Sequence, residues 1–279
     1  RWYRAAAEAG LAMAMTNLGI LLELGRGVPA SLEQAVHWYE LAVKQGEPAA
    51  AIRLGILLLH GQGVVQDQQR AHQLLRGAAK AGDAEAQALL GRLYAAGLGV
   101  ARDDAQAARW IRQAAEAGDP EAQNSYGVLL ATGRGVPLDE AAAVEWYARA
   151  AEQGFPEAFT NLGGMYATGR GVDRDDAKAL DCFRVAAEEG DPNAQNNLGY
   201  FLMTGRGVPR DVNWAIAWFQ KAAEEGHAGA QYNMALAHLG GHLGPFDLAK
   251  ARAWLERSAA QGHEPSRLQL AALDRSESE

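Results

Sequence analysis

Residues 191–226 read DPNAQNNLGYFLMTGRGVPRDVNWAIAWFQKAAEEG, and the rest of the chain is built from copies of this stretch. Ala194, Leu198 and Leu202 recur at i, i+4 and i+8, the spacing of one helix face. Ala215, Trp218, Phe219, Ala222 and Ala223 form the apolar stripe of a second helix. Between them, Thr204-Gly205-Arg206-Gly207-Val208-Pro209 is too rich in glycine and proline to stay helical.

Three glycine series run in phase through the chain. One closes each second helix, at Gly10, Gly46, Gly82, Gly118, Gly154, Gly190, Gly226 and Gly262, always 36 residues apart. A helix C-terminus there calls for a left-handed residue, and an acid or a proline often follows to start the next helix, as in Asp119-Pro120 and Asp191-Pro192. A second series lies mid-helix, at Gly19, Gly55, Gly91, Gly127, Gly163 and Gly199, with Ala235 in the last copy. A mid-helix glycine costs about 1 kcal/mol relative to alanine, so its recurrence predicts a partner helix too close for a side chain. The third series is the loop pair, from Gly25 and Gly27 to Gly205 and Gly207. Asp67, Asp103, Asp139, Asp175, Asp211 and Asp247 read as caps of the second helices, with Ser31 in their place in the first full repeat and Gln34 completing a capping box.

The predicted fold is all-α: a right-handed α-solenoid superhelix of stacked antiparallel helix pairs, each helix roughly 20 Å long. The expected organisation is a single domain over 1–279. A partial repeat covers 1–10. Seven repeats follow at 11–46, 47–82, 83–118, 119–154, 155–190, 191–226 and 227–262, and a capping helix and tail cover 263–279. Arg1-Trp2-Tyr3 aligns with His37-Trp38-Tyr39, so the chain is expected to open partway through a helix. The tail from Asp274 to Glu279 is polar and expected to fray.

The pattern A-x-x-x-L-G-x-x-Y/L-x-x-G-x-G-V-x-x-D-x-x-x-A-x-x-W-Y/F-x-x-A-A-x-x-G resembles the Sel-1-like repeat, a relative of the tetratricopeptide repeat, over nearly the whole chain. Departures cluster in two repeats. Leu74-Leu75 stands where Trp-Tyr is usual, and the seventh repeat has His238, Ala235 and Leu243-Gly244 in place of Tyr, Gly and Gly-Val. Its loop is expected to take another path. The resemblance implies an adaptor in signalling, secretion or cell-envelope assembly, with a periplasmic location favoured over a cytoplasmic one.

Composition narrows the function. A formal charge of −8 argues against a nucleic-acid binder, and no apolar run approaches the roughly 18–20 residues of a membrane span. The single cysteine, Cys182, takes the register of Trp110, Trp146 and Trp218 and is expected to be buried. No nucleophile elbow, phosphate loop or zinc-protease motif is present. The G-x-G loops recur in every repeat and so read as structural turns rather than phosphate cradles. His238 and His242 stand at i, i+4, near His227 and His263, but His242 falls past the helix end, so a metal site is disfavoured. Asp173 and Asp176 read as a solvated rim beside the capping Asp175, and Glu145 and Glu152 as outward positions.

The candidate site is the face of the first helices, which the resemblance places on the concave side of the stack. Reading three before and one after each mid-helix glycine gives Thr16, Ile20, Ile56, Arg92, Asn124, Thr160, Asn196, Tyr200 and Tyr232. Asn17, Asn161, Asn197 and Asn233 recur one position further in. These amides either pair with a bound extended chain or brace the adjacent helix, and bracing is the preferred reading. Ile20, Ile56 and Leu59 make the face apolar early, and asparagine and tyrosine make it polar and aromatic later. Arg26, Arg134, Arg170 and Arg206 share one loop position and would form an edge ladder. It serves either an acidic partner or, preferred here, loop carbonyls and neighbouring acids. The expected function is a non-catalytic scaffold that binds a protein or peptide, as a monomer, without cofactor or metal. The alternatives are a glycan or peptidoglycan binder, a spacer arm, and a hydrolase of cell-wall or β-lactam-like compounds. The last is weakened by the presence of one cysteine where such relatives carry pairs.

Overall fold

The computed structural model describes residues 2–278. Among them are sixteen α-helices and no strand. By packing, the chain divides between Asp139 and Glu140 into two compact units. The first holds α1 (Trp2–Glu8), α2 (Ala12–Leu24), α3 (Leu32–Lys44), α4 (Pro48–His60), α5 (Gln68–Lys80), α6 (Ala84–Ala96), α7 (Asp104–Glu116) and α8 (Pro120–Thr132). The second holds α9 (Glu140–Glu152), α10 (Pro156–Thr168), α11 (Asp176–Glu188), α12 (Pro192–Thr204), α13 (Val212–Glu224), α14 (Ala228–Leu239), α15 (Leu248–Ala260) and α16 (Glu264–Ser278). Within each unit, consecutive helices pack on one another. Even-numbered helices are the first of each repeat and odd-numbered ones the second.

Local chemistry sets the boundaries. Asp67, Asp103, Asp175, Asp211 and Asp247 each accept a backbone N–H at the start of a second helix, and Ser31 Oγ accepts Gln34 N–H at 3.3 Å. Asp83, Asp119 and Asp191 do the same for first helices, whereas Glu47 and Phe155 cap nothing with their side chains. The loop of the seventh repeat departs as expected. Gly240 ends α14 at φ −83°, where Gly205 ends α12 at φ 72°.

The mid-helix glycines mark the tightest helix contact. A Cβ on Gly199 would lie 2.7 Å from Phe219 Cε1 and 3.0 Å from the Ala215 carbonyl, and one on Gly163 would lie 2.7 Å from Phe183 Cε1. Gly19 meets the Tyr39 ring in the same way, and Gly91 meets Ile111 at 2.5 Å. The partner is always the residue 20 positions on. Where that residue is leucine the contact loosens. A Cβ on Gly55 would lie 3.1 Å from Leu75 Cγ, and in the last copy Ala235 is accommodated in one core cluster with Leu255.

The second loop glycine has a different partner. A Cβ on Gly99, Gly135, Gly171 or Gly207 would collide with the first-turn carbonyl of the preceding repeat's second helix, at Gln68, Asp104, Glu140 and Asp176 respectively. The loop of one repeat is therefore clamped onto the start of a helix in the repeat before it. Buried glutamines add a third tie. Gln87, Gln123, Gln195 and Gln231 donate from Nε2 to the carbonyls of Ala79, Ala115, Ala187 and Ala223, at 3.2–3.4 Å.

Two expectations need correction. The polar tail does not fray from Asp274, because α16 continues to Ser278, with Arg252 Nη1 bonded to Asp274 Oδ1 at 2.6 Å; Glu279 lies outside the described residues, as does Arg1. Cys182 is only half-buried, as are Trp146 and Trp218 at the same register, because this position lies at the margin of the helix contact.

Gly199→Ala is expected to destabilise the protein by about 1–3 kcal/mol, overpacking against Phe219 outweighing the gain in helix propensity. Gly55→Ala should stay within about 1 kcal/mol of wild type, because Leu75 can yield. Adding Phe219→Leu to Gly199→Ala should show favourable coupling in urea melts. Equal stability of Gly199→Ala and wild type would refute the close-contact account.

Candidate functional site

In the second unit, α10, α12 and α14 turn the same register positions outward. On α12 these are Asn193, Asn196, Asn197, Tyr200 and Thr204, at helical spacing, with Tyr200 48% exposed. On α14 they are Gly229, Tyr232, Asn233 and Leu236, the last 38% exposed. Thr160, Asn161 and Gly164 hold the same registers on α10 and are half-buried.

Hydrogen bonds join these helices side by side. Thr160 donates to Asp191 Oδ2 at 2.5 Å, and Asp191 Oδ1 accepts Asn193 N–H. Asn193 Oδ1 lies 3.2 Å from His227 Nε2, and Asn233 Nδ2 donates to Asn196 Oδ1 at 2.9 Å. Tyr232 packs its ring 5.3 Å from that of His263. Thr160, Asn196 and Asn233 thus brace neighbouring helices, while Asn197 and Tyr200 carry no such bond and face outward.

Several corresponding positions of the first unit are drawn inward, while Arg92 and Val128 stay exposed. Thr16 is buried and donates to its own helix at Ala12 O, and Ile20 and Ile56 are half-buried against core clusters, as is Leu59. Arg92 is exposed and paired with Glu121, and Asn124 is half-buried. The apolar early face read from sequence is therefore largely core.

The arginine ladder is engaged with the chain itself. Arg134 Nε bonds Asp104 at 2.9 Å, Arg170 Nε bonds Glu140 at 2.6 Å, and Arg206 Nη2 bonds Asp176 at 2.5 Å. Arg134 and Arg206 also donate to the carbonyls of Ala95 and Ala167, and the Arg206 guanidinium lies 4.4 Å from the Phe201 ring centroid. Each acid is the first residue of the preceding repeat's second helix, where an anion suits the helix dipole. Hydrogen bonds from Arg174 and then Arg206 hold the Asp176 carboxyl far below its ordinary range. Arg26 makes no such pair among the described residues.

Other reactive groups are quiet. Burial, with Asp181 adding to it, pushes the Cys182 thiol up to about 11, so it is protonated at neutral pH. Among the described residues no three His, Cys, Asp or Glu side chains gather as for a metal. Asp173 is exposed, and the loop glycines face carbonyl oxygens, which would repel a phosphate. No helix among the described residues is long and apolar enough to cross a membrane.

His227 caps α14 in a position where other repeats use aspartate. Its Nδ1 accepts Ala230 N–H at 3.0 Å, so Nε2 carries the proton that reaches Asn193. Sequence reading passed over this role, and it passed over Leu236 and Leu268, although these hold the registers of Tyr200 and Tyr232 and the repeat alone points to them.

Stacked helix pairs recurring every 36 residues define a helical-repeat protein. The chain belongs to the Sel1 repeat family, whose model matches residues 1–11, 12–47, 48–83, 84–119, 120–155, 156–191, 192–227 and 228–263. It is similar in structure to a protective antigen from uropathogenic Escherichia coli that displays this repeat fold. There the TM-score is 0.85 and the identity 36%, over 98% of this chain and 58% of that one. It is also similar to a Sel1 repeat protein from Oxalobacter formigenes, with a TM-score of 0.76 and 35% identity, over 97% and 78% of the two chains. The chain thus spans less than two thirds of the length of the Escherichia coli protein. No curated protein matches it in sequence. Folds of this family are generally non-catalytic scaffolds for protein interaction.

Two outcomes follow from these contacts. Arg206→Ala should lower the melting temperature more than Arg170→Ala, because the Arg206 side chain is 27% exposed and that of Arg170 50%. Equal shifts would assign no weight to burial. Burial lowers the proton affinity of His227 in the fold, opposed by Asp191 and aided by His263. The unfolded chain then binds the extra proton, so this contribution is present above about pH 6.5 and is lost as pH falls through the lower folded value. Melting between pH 7.5 and 5.5 should show a smaller loss for His227→Asn than for wild type; identical pH profiles would rule this contribution out.

Proposed function

We propose that this protein is a non-catalytic scaffold that holds a segment of another protein against the outward face of α10, α12 and α14, in bacterial signalling or cell-envelope assembly. The observation that carries this reading is Tyr200, a large amphipathic side chain left 48% exposed mid-helix, with the Asn197 amide, which makes no bond to a neighbouring helix, on the same face. Tyrosine offers broad contact area at low entropic cost, and neighbouring amides can pair with the backbone of an extended chain. Asn161 and Asn233, half-buried on the adjacent helices, extend the same amide row. Arg134, Arg170 and Arg206 are committed to internal acids, which favours the helix face over the loops as the binding surface.

The test is capture from a lysate of the source cell by wild type and by the Asn197→Ala/Tyr200→Ala double variant, with helicity checked by circular dichroism. A protein retained by wild type and lost by the equally helical variant supports the reading. Equal retention by both would move the binding surface off this face.

A further inference from the structure

The face around Tyr200 has a definite electrostatic setting. The helices α10, α12 and α14 contain no lysine or arginine, and Glu157 is their one acidic residue. At the end where these helices begin, the preceding second helices finish on exposed acids: Glu152, then Glu188 with Glu189, then Glu224 with Glu225. Lys44 and Lys80 hold the register of Glu152 in the first two full repeats and Glu116 holds it in the third, but the doubled acids Glu188-Glu189 and Glu224-Glu225 occur only in the second unit. Glu188, Glu189 and Glu225 make no ion pair among the described residues, and Glu224 accepts only Gln220 Nε2, at 2.8 Å. The nearby cations are turned to other work. Arg149 and Lys221 lie over the rings of Trp146 and Trp218, and Arg184 pairs with Asp181. Residues 140–279 carry 20 acidic and 13 basic side chains, a net −7, against 14 and 13, a net −1, over 1–139.

Further along these helices and on α16 lie exposed apolar side chains. Tyr200 and Leu236 share one repeat register on α12 and α14, at 48% and 38% exposure, and Leu268 on α16, 62% exposed, takes the register of Tyr232. On α16 the nearby charges are paired, Arg267 with Glu264 and Asp274 with Arg252.

We propose that the strip Tyr200–Leu236–Leu268 takes a basic amphipathic segment of a partner protein, its large apolar side chains on the strip and its lysines or arginines on the Glu188/Glu189 and Glu224/Glu225 edge. This rests on the proposed interaction face and adds the chemistry of the partner. An acidic surface without its own cations attracts such a segment and repels a second copy of this negatively charged chain. The apolar anchors supply the affinity, and the charges set orientation and association rate.

A random peptide library displayed on phage, selected on the full chain, tests this directly. The selected peptides should pair Lys or Arg with Leu, Phe or Trp. Their affinity should fall about tenfold or more with Tyr200→Ala/Leu236→Ala. It should also fall with Glu188→Gln/Glu189→Gln/Glu224→Gln/Glu225→Gln, and with rising salt. Loss with the first variant but not the second keeps the face and overturns the basic partner. Loss with the second but not the first means charge alone is read, and overturns both. Selection of acidic or uncharged peptides, or of none, overturns the inference. Circular dichroism of both variants guards against loss through unfolding.

Discussion

The second unit and the first depend alike on one contact, the seating of a bulky side chain from each second helix on a bare glycine in the first. Phe219 on Gly199, Phe183 on Gly163 and Tyr39 on Gly19 bring two backbones closer than any side chain would allow. The ring replaces the missing Cβ as filler, so density is kept while the helices approach. Glycine weakens the helix that carries it, and burial of the ring offsets that loss. The copies with leucine as partner, at Gly55 and Ala235, show the same contact relaxing, whereas Ile111 on Gly91 keeps it close without a ring.

That contact joins helices within a repeat, and other contacts join one repeat to the next. The loop glycine rests on a carbonyl of the preceding repeat, and an arginine beside it reaches the acid at that helix's first position. The buried glutamines anchor α6, α8, α12 and α14 to the end of the helix before each. These ties use the loop edge and the inner faces for internal cohesion. The outward face of the first helices in the second unit is left with Tyr200, Asn197 and Leu236 available to a partner. In the second unit the groups that build the stack are thus separate from those left on the outward face.

Part of the site was visible in the linear chain. Acids at 104, 140 and 176 coincide with arginines 30 residues later at 134, 170 and 206. The pairs Leu32 and Gln62, Gln68 and Leu98, and Val212 and His242 lack both charges. An internal alignment thus announces the ion pairs. Nothing comparable announces that Ile20 and Ile56 sink toward the core while Tyr200 stays out, since all three share one register. Burial there depends on what the neighbouring helix presents, and that is a property of packing.

Helix identity, period, caps and the need for close approach were legible because each is written in local spacing: glycines every 36 residues, an acid before each second helix, apolar residues at helical intervals. Local rules act over a few residues and need no partner. Three features were settled only by the tertiary structure: the commitment of Thr160, Asn196 and Asn233 to bracing, the neutral capping role of His227, and the continuation of α16 to Ser278. Each turns on whether a polar group meets a partner some 20 to 40 residues away or meets water. A hydrogen bond across repeats exists only once the stack has brought its two ends together.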